Sequence, residues 1–528
     1  MFDKLLKQRK MESTVLTCTV NEPYYDVITR IYRNRADLIC FSCYIWNIEM
    51  ILRICRDLHE LSPHTKIILG GPEVSYESEY ILRDYPNVIS IVRGEGEEQL
   101  LKILDAAAKG VEPPFKSEVG VVADLNTLPF LYDGEESYAH RILYYETSRG
   151  CPFNCAYCQS SLSSGVRYLA VERVKKEILV MQKKGAKIIK FLDRTFNCDG
   201  KRAKKLFAFL SKLEGDCSYH FEICVDLLDD ETMDILSQVP SGRFQFEIGI
   251  QSINPNTLSA IGRCNTVQTA LAKMAHLKKV GNILLHADLI VGLPFDTKET
   301  LYQAIDQIYF ICHELQLGFL KLLKGTGMRR MAIEMGYCYQ KNPPYEVYSS
   351  PWISFDDVLE LKRVEWVINK YKNSRCFEKS VAYLIENGFA GPSDFLRTFC
   401  KFLEDLSFFD QPRARKSLYE PLYAFAKYHL NKKELKHFAF LLEVEYIRYE
   451  RSGRAPFLVG ENPRLEKTRI HQFLHNLEYI HRFLPLYDKK QAAQILKNVE
   501  FHVFELEQKK ILLFDFLYDK IEDVTDCF

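Results

Sequence analysis

Three cysteines stand within eight positions in the run Arg149-Gly150-Cys151-Pro152-Phe153-Asn154-Cys155-Ala156-Tyr157-Cys158. Separated by three and then two residues, they can wrap one loop around a cube-shaped iron–sulfur cluster and donate three thiolates, which leaves the fourth iron open. A structural zinc site asks instead for four protein ligands, commonly as two cysteine pairs, and no second pair follows here. Gly150 and Pro152 suit a tight, non-repetitive loop. Backbone amides near the sulfurs can tune the potential of a cluster. The chain has 16 cysteines, and others such as Cys40, Cys55, Cys312 and Cys400 sit singly in apolar runs, where a buried, inert thiol is expected. The start, Met1 to Ser13, lacks the apolar core of a secretory signal, and no stretch reaches the ~18 apolar residues of a membrane span. These features predict a cytoplasmic protein with reduced thiols.

A second set of polar residues lies on alternating positions. Glu222, Cys224 and Asp226 segregate from Phe221, Ile223 and Val225; Gln245, Glu247, Gly249 and Gln251 from Phe244, Phe246, Ile248 and Ile250; His286 and Asp288 from Leu285, Ala287 and Leu289. Side chains of a strand alternate between its faces, so each run predicts one apolar and one polar face. Three adjacent polar faces inside a barrel would leave costly unsatisfied groups unless the lumen holds water or a polar ligand.

The elements that position these residues follow from periodicity. From Leu143–Thr147 to Gln316–Leu323, six apolar runs alternate with helical stretches such as Val171–Lys184, Lys201–Leu213, Val267–Val280 and Lys298–Glu314. Six βα units of ~30 residues predict an open, partial (β/α)6 barrel over residues 138–344, with chemistry at the carboxyl ends of its strands. Ahead of it, residues 1–124 alternate short runs at Val15–Val20, Leu38–Tyr44, Lys66–Leu69 and Val88–Val92 with helices at Ile48–Leu61 and Glu97–Ala108. That pattern predicts a doubly wound, Rossmann-like α/β domain, with a Pro-rich acidic loop near 112–137 leading into the barrel. The turns Gly70-Gly71-Pro72-Glu73 and Gly94-Glu95-Gly96-Glu97 stand at strand ends, where such sheets hold ligands, although glycine also simply permits a tight turn. Residues 345–528 read as mainly helical: Ser354 and Asp357 form a capping-box start, helices follow near 418–430, 433–449 and 465–483, and 501–506 with 511–518 could form a hairpin. With 528 residues, three domains are in keeping with the size limit of single cores. Lys plus Arg equals Asp plus Glu at 70 each, so the zero net charge gives no long-range pull towards nucleic acid or anionic lipid.

The cysteine loop, with Tyr157 before its last cysteine, resembles that of the radical S-adenosylmethionine (SAM) superfamily. The likeness extends to the class with an N-terminal cobalamin (B12)-binding domain, through the two glycine turns and through Phe246-Glu247-Ile248-Gly249-Ile250-Gln251-Ser252 and Leu289-Ile290-Val291-Gly292-Leu293-Pro294. The C-terminal third resembles an uncharacterised domain that accompanies some members. The resemblance implies a 4Fe-4S cluster on Cys151, Cys155 and Cys158, whose open iron chelates SAM and cleaves it reductively to the 5′-deoxyadenosyl radical. It further implies SAM contacts at Tyr157, Asp193, Glu247, Gln251, Ser252, Gly292 and Leu293, cobalamin contacts at Ser42, Gly70, Gly71 and Gly94, and a cellular one-electron donor such as flavodoxin or ferredoxin. Asp193 departs from the family's common Gly-Gly-Glu pattern.

Two departures concern cobalamin. The Asp-x-His-x-x-Gly signature that supplies a cobalt-binding histidine in many B12 proteins is absent, as it often is in this class. Thr14–Val20 resembles the second strand of the usual domain, so the first βα unit is missing, which predicts weak cobalamin binding or none. The expected activity is cobalamin-dependent methylation or rearrangement of an unknown substrate. The alternatives are a cobalamin-free enzyme that only abstracts hydrogen, and a non-catalytic iron–sulfur sensor or carrier.

Overall fold

Short β-branched runs and amphipathic helices alternate in the computed structural model as their periodicities require. The model describes residues 1–9, 11–109, 111, 116–163, 165–263, 266–451, 455–458 and 465–528. The chain divides into two units, Met1–Leu361 and Lys362–Phe528, with the boundary inside the helix Phe355–Val367.

The first unit opens with a parallel sheet of β1 (Leu38–Ser42), β2 (Lys66–Gly70), β3 (Val88–Gly94) and β4 (Ser117–Gly120), paired in that order. In the helix Ile48–Leu61, Ile48, Ile51, Ile54, Cys55 and Leu58 recur at helical spacing and share one face. That face packs on Ile67 and Leu69 of β2, whereas Leu100, Ile103 and Leu104 of the helix Glu97–Ala108 pack on Ile68 and Val92. Odd and even strand positions thus face different helices, which makes the layered α/β/α arrangement the sequence predicts. Each such side chain contributes about 1.5–3 kcal/mol on burial.

Two expectations need correction. Thr14–Val20 forms no strand: Val15 and Val20 are exposed and the segment pairs with none of the four strands. The four strands run in sequence order, so none of them makes the reversal of a complete doubly wound sheet. The loop expected near 112–137 is interrupted by β4, a short edge strand whose local pattern is weak; residues 112–115 lie outside the described residues.

The second sheet is an open barrel of six parallel strands: β5 (Ile142–Tyr145), β6 (Ile188–Phe191), β7 (Ser218–Ile223), β8 (Phe244–Gln251), β9 (Leu284–Val291) and β10 (Glu314–Phe319), hydrogen-bonded in sequence order. Phe244, Phe246, Ile248 and Ile250 are buried, and Phe191, Phe207, Phe221, Phe244 and Phe246 form one aromatic layer on the helix side. The helix Val267–Val280 stops at Gly281, which takes the left-handed conformation that glycine tolerates best. The helix expected over Lys298–Glu314 ends earlier, at Ile308, so Glu314 belongs to β10 instead.

In the second unit, the helices Glu378–Gly388, Pro392–Asp405, Tyr419–His429 and Lys432–Glu450 enclose an aromatic core of Tyr371, Phe377, Phe395, Phe399, Phe425 and Tyr419. The single helix expected over 465–483 is two, Lys467–His475 and Leu477–Phe483, because Asn476 Oδ1 accepts from Glu478 N and Tyr479 N and caps the second. The expected hairpin is present as β11 (Val499–Phe504) and β12 (Lys510–Asp515), extended by β13 (Lys520–Asp523). Among the described residues no helix is long and apolar enough to cross a membrane.

Candidate cluster and cofactor sites

The cysteine loop leaves the end of β5 and is fastened on several sides. Gly150 has φ 98°, and a Cβ there would stand 2.0 Å from the Gly165 carbonyl oxygen, so only glycine fits. Ala156 N donates to Ile261 O at 2.9 Å and Met328 N to Ala156 O at 2.8 Å. Ser161 Oγ donates to the carbonyls of Cys155 and Cys158 at 3.1 and 2.6 Å. Cys151, Cys155 and Cys158 are half-buried free thiols. Among the described residues no three His, Cys, Asp or Glu side chains converge as ligands of one metal ion. The donor set is three thiols on one loop, which suits a cluster whose irons each take one thiolate.

Arg149, two residues before Cys151, is held by three carboxylates: Glu97 at 2.6 Å, Glu146 at 3.0 Å and Glu95 at 3.2 Å. Arg167 also pairs with Glu95. On the other edge of the open barrel, Lys324 pairs with Glu73 at 2.9 Å, both almost fully buried, and Tyr345 Oη donates to Glu73. The acidic residues of the two glycine turns therefore fasten the N-terminal sheet to segments that follow the first and last barrel strands. Sequence reading singled out the glycines of these turns and missed this use of Glu73, Glu95 and Glu97. The signal available was a basic residue directly ahead of the first cysteine.

The polar strand faces meet in register. Glu247 of β8 lies opposite Glu222 of β7 and His286 of β9, and His286 lies opposite Glu314 of β10. Lys190 Nζ stands 2.6 Å from Glu247, His286 Nε2 3.2 Å from Asp288, and Arg194 3.9 Å from Glu222. Burial pushes the Glu222 carboxyl up to about 7. Gln251, with φ 71°, carries a buried Oε1 that has no hydrogen-bond partner among the described residues. Such an orphaned acceptor is costly unless a ligand donates to it.

Other expected SAM contacts lie elsewhere. Asp193 is 1% exposed and accepts from Thr147 N at 2.8 Å, Thr147 Oγ1 at 2.6 Å and Ser148 Oγ at 2.7 Å, so it fastens the segment that follows β5. Ser252 is 2% exposed and donates to Asp296 at 2.9 Å. Burial holds Asp296 at about 6 although Ser252, Thr257 and Thr300 hydrogen-bond to it. Both side chains are held by protein partners at the strand ends, Asp193 by Thr147 and Ser148 and Ser252 by Asp296. Gly292, φ 93°, and Leu293 are buried at the end of β9, the latter in an apolar cluster to which Tyr157 also packs. Tyr157 Oη accepts from Arg263 Nη1 at 3.2 Å, a contact that sequence reading missed.

Ser42, Gly70, Gly71 and Gly94 all line one cavity of about 1540 Å³ that runs along β1, from residues 34–37 before its amino end to the strand ends of the N-terminal sheet. A Cβ on Gly71, φ 104°, would stand 2.6 Å from the Cys43 carbonyl oxygen. Ile39, Phe41, Met50 and Leu100 wall the cavity with the stacked pair Tyr44 and Trp46, whose rings lie 4.5 Å apart. Glu95, Glu97, Glu146 and Arg149 close its barrel side, which brings it next to the cysteine loop. Ordinary ligand pockets are roughly 300–1,000 Å³, so this one suits a large macrocycle. No histidine lines it among the described residues, in accord with the missing Asp-x-His-x-x-Gly signature.

An open parallel barrel with three thiols at its first strand end, joined to a sheet with a macrocycle-sized cavity, defines a two-cofactor α/β protein. Family models agree segment by segment: B12 binding domain over residues 1–104, Radical SAM superfamily over 145–308, and a protein family of unknown function, DUF4080, over 334–516. The chain thus carries a B12-binding segment ahead of a radical SAM segment, the arrangement its sequence resembles. These domains imply a 4Fe-4S cluster, SAM and cobalamin. An uncharacterized methyltransferase of Pyrococcus horikoshii is 30% identical over 48% of this chain and 59% of its own length. The cobalamin-dependent radical SAM methyltransferase TokK of Streptomyces tokunonensis is 23% identical over 52% of this chain and 44% of its own. The chain thus spans about half the length of these curated relatives. The cobalamin-dependent SAM radical enzyme OxsB with aqua-cobalamin bound shares the fold at TM-score 0.57 and 13% identity, over 85% of this chain and 76% of that one.

Proposed function

We propose that the chain is a radical SAM enzyme that uses cobalamin to methylate or rearrange its substrate, on the model of the methyltransferases it resembles. The observation that carries this reading is the cysteine loop placed between a polar barrel lumen and the large cavity. Cys151, Cys155 and Cys158 would hold the cluster, and Ser42, Gly70, Gly71 and Gly94 would approach the corrin. A cluster held there would supply the electron, drawn from a cellular donor, for reductive cleavage of SAM to methionine and the 5′-deoxyadenosyl radical, and cobalamin would supply a methyl carrier. Glu247, oriented by Lys190, and Gln251 offer acceptors to the amino and hydroxyl groups of SAM. The backbone at Gly292 and Leu293 with Tyr157 offers an apolar wall. Asp193 and Ser252 position strand ends and make no ligand contact.

The test is the product pair formed from SAM by anaerobic protein loaded with iron, sulfide and cobalamin. Methyl transfer yields S-adenosylhomocysteine beside 5′-deoxyadenosine. Rearrangement or simple hydrogen abstraction yields 5′-deoxyadenosine alone, dependent on cobalamin in the first case and independent of it in the second, and a sensor or carrier yields neither.

A further inference from the structure

Arg263 follows the helix Pro255–Ala260 and reaches beneath the cysteine loop. Its Nη1 donates to Tyr157 Oη at 3.2 Å and its Nη2 to the Gly249 carbonyl at 2.7 Å, so one side chain joins the loop to β8. The turn that carries it is itself docked: Ile261 O accepts from Ala156 N at 2.9 Å, and a Cβ on Gly262, φ 72°, would lie 2.9 Å from the Asn154 carbonyl oxygen. Nε is buried without a hydrogen-bond partner among the described residues. Arg263 is therefore a guanidinium fixed in place beside the thiols. Its charge lies within electrostatic reach of Cys155. The nearby acid is Asp226, whose own carboxyl burial pushes above its ordinary range.

Reducing a cluster by one electron adds one negative charge, and a fixed cation in a low-dielectric setting favours that state. Guanidinium stays charged at any working pH. We infer that Arg263 is a positioning residue that raises the reduction potential of the cluster on Cys151, Cys155 and Cys158, through its charge more than through its hydrogen bond to Tyr157. The inference rests on the cluster reading proposed above.

The experiment is an anaerobic potentiometric titration, followed by electron paramagnetic resonance with iron counted per chain, of wild type, Arg263→Met, Arg263→Lys and Tyr157→Phe. Arg263→Met is expected to keep its iron and to shift to a more negative potential, with the ratio of reduced to oxidised cluster at fixed poise falling about tenfold, or about 59 mV for a one-electron couple. Arg263→Lys keeps a charge and Tyr157→Phe keeps the arginine, so both should stay near the wild-type potential. If Arg263→Met loses its iron, these two variants still decide, and a marked shift in either overturns the charge account. An iron-replete Arg263→Met at the wild-type potential overturns the inference alone. A wild-type chain that assembles no four-iron cluster overturns the cluster reading as well.

Discussion

The N-terminal sheet and the barrel are both parallel α/β layers with candidate sites at the carboxyl ends of their strands, yet they handle polarity differently. In the barrel, the inner strand faces are charged and meet one another: Lys190 with Glu247, His286 with Asp288, Arg194 with Glu222. In the N-terminal sheet the charges sit in the turns and fasten to barrel segments, through Glu73, Glu95 and Glu97, while the sheet's own edge is left as an open cavity. The barrel is thus built to orient a small polar ligand by hydrogen bonds, and the sheet to admit a large one by shape. The sheet's open edge leaves room for such a ligand, whereas the barrel depends on an unbroken row of registered polar groups.

If that division holds, the largest effect belongs to the thiols. Cys151→Ala, Cys155→Ala or Cys158→Ala should each abolish the brown chromophore and SAM cleavage while leaving cobalt retention intact. Iron and cobalt analysis after reconstitution and desalting reads both, and a full iron complement in the triple variant would remove the cluster from this loop.

The reciprocal change is Ser42→Trp, which adds bulk at an exposed wall of the cavity. Corrinoid binding should weaken by about tenfold or more, equivalent to ~1.4 kcal/mol, with iron content unchanged. Equal cobalt retention in variant and wild type would show that the macrocycle does not enter there.

Glu247→Gln keeps volume and removes a charge-assisted hydrogen bond, a contact worth about 1.5–3 kcal/mol, so SAM affinity should fall roughly ten- to hundredfold. Thermal stability should change little. Unchanged affinity with collapsed stability would assign the registered row to folding alone.

The smallest effect is on the pH dependence of stability. Burial raises Glu222 from near 4.5 to about 7, so over that window the folded state binds more protons than the unfolded state. Its contribution to stability therefore declines as pH rises from about 4.5 to about 7 and levels off above. Melting curves of wild type and Glu222→Gln should diverge in slope across this range, and parallel curves would show that Glu222 titrates normally.

Much of this molecule was legible because its signals are local. The spacing of Cys151, Cys155 and Cys158, the alternation through Phe244–Gln251 and the helical stripe of Ile48–Leu61 each depend on near neighbours, and each element stands where its period placed it. What escaped depends on distant partners. Thr14–Val20 has the composition of a strand and no neighbour to pair with; Asp193 and Ser252 are polar at the right strand ends but aim at Thr147 and Asp296. Arg263 stands 106 positions from its partner Tyr157, and Lys324 pairs with Glu73 across 251. No window of sequence contains either pair.

The central claim is that the thiol loop and the polar lumen together cleave SAM. Anaerobic, cluster-loaded protein reduced with dithionite should convert SAM to 5′-deoxyadenosine and methionine, and the Cys151→Ala, Cys155→Ala and Cys158→Ala variants should not. A wild-type protein with its cluster reduced that leaves SAM intact would contradict the account.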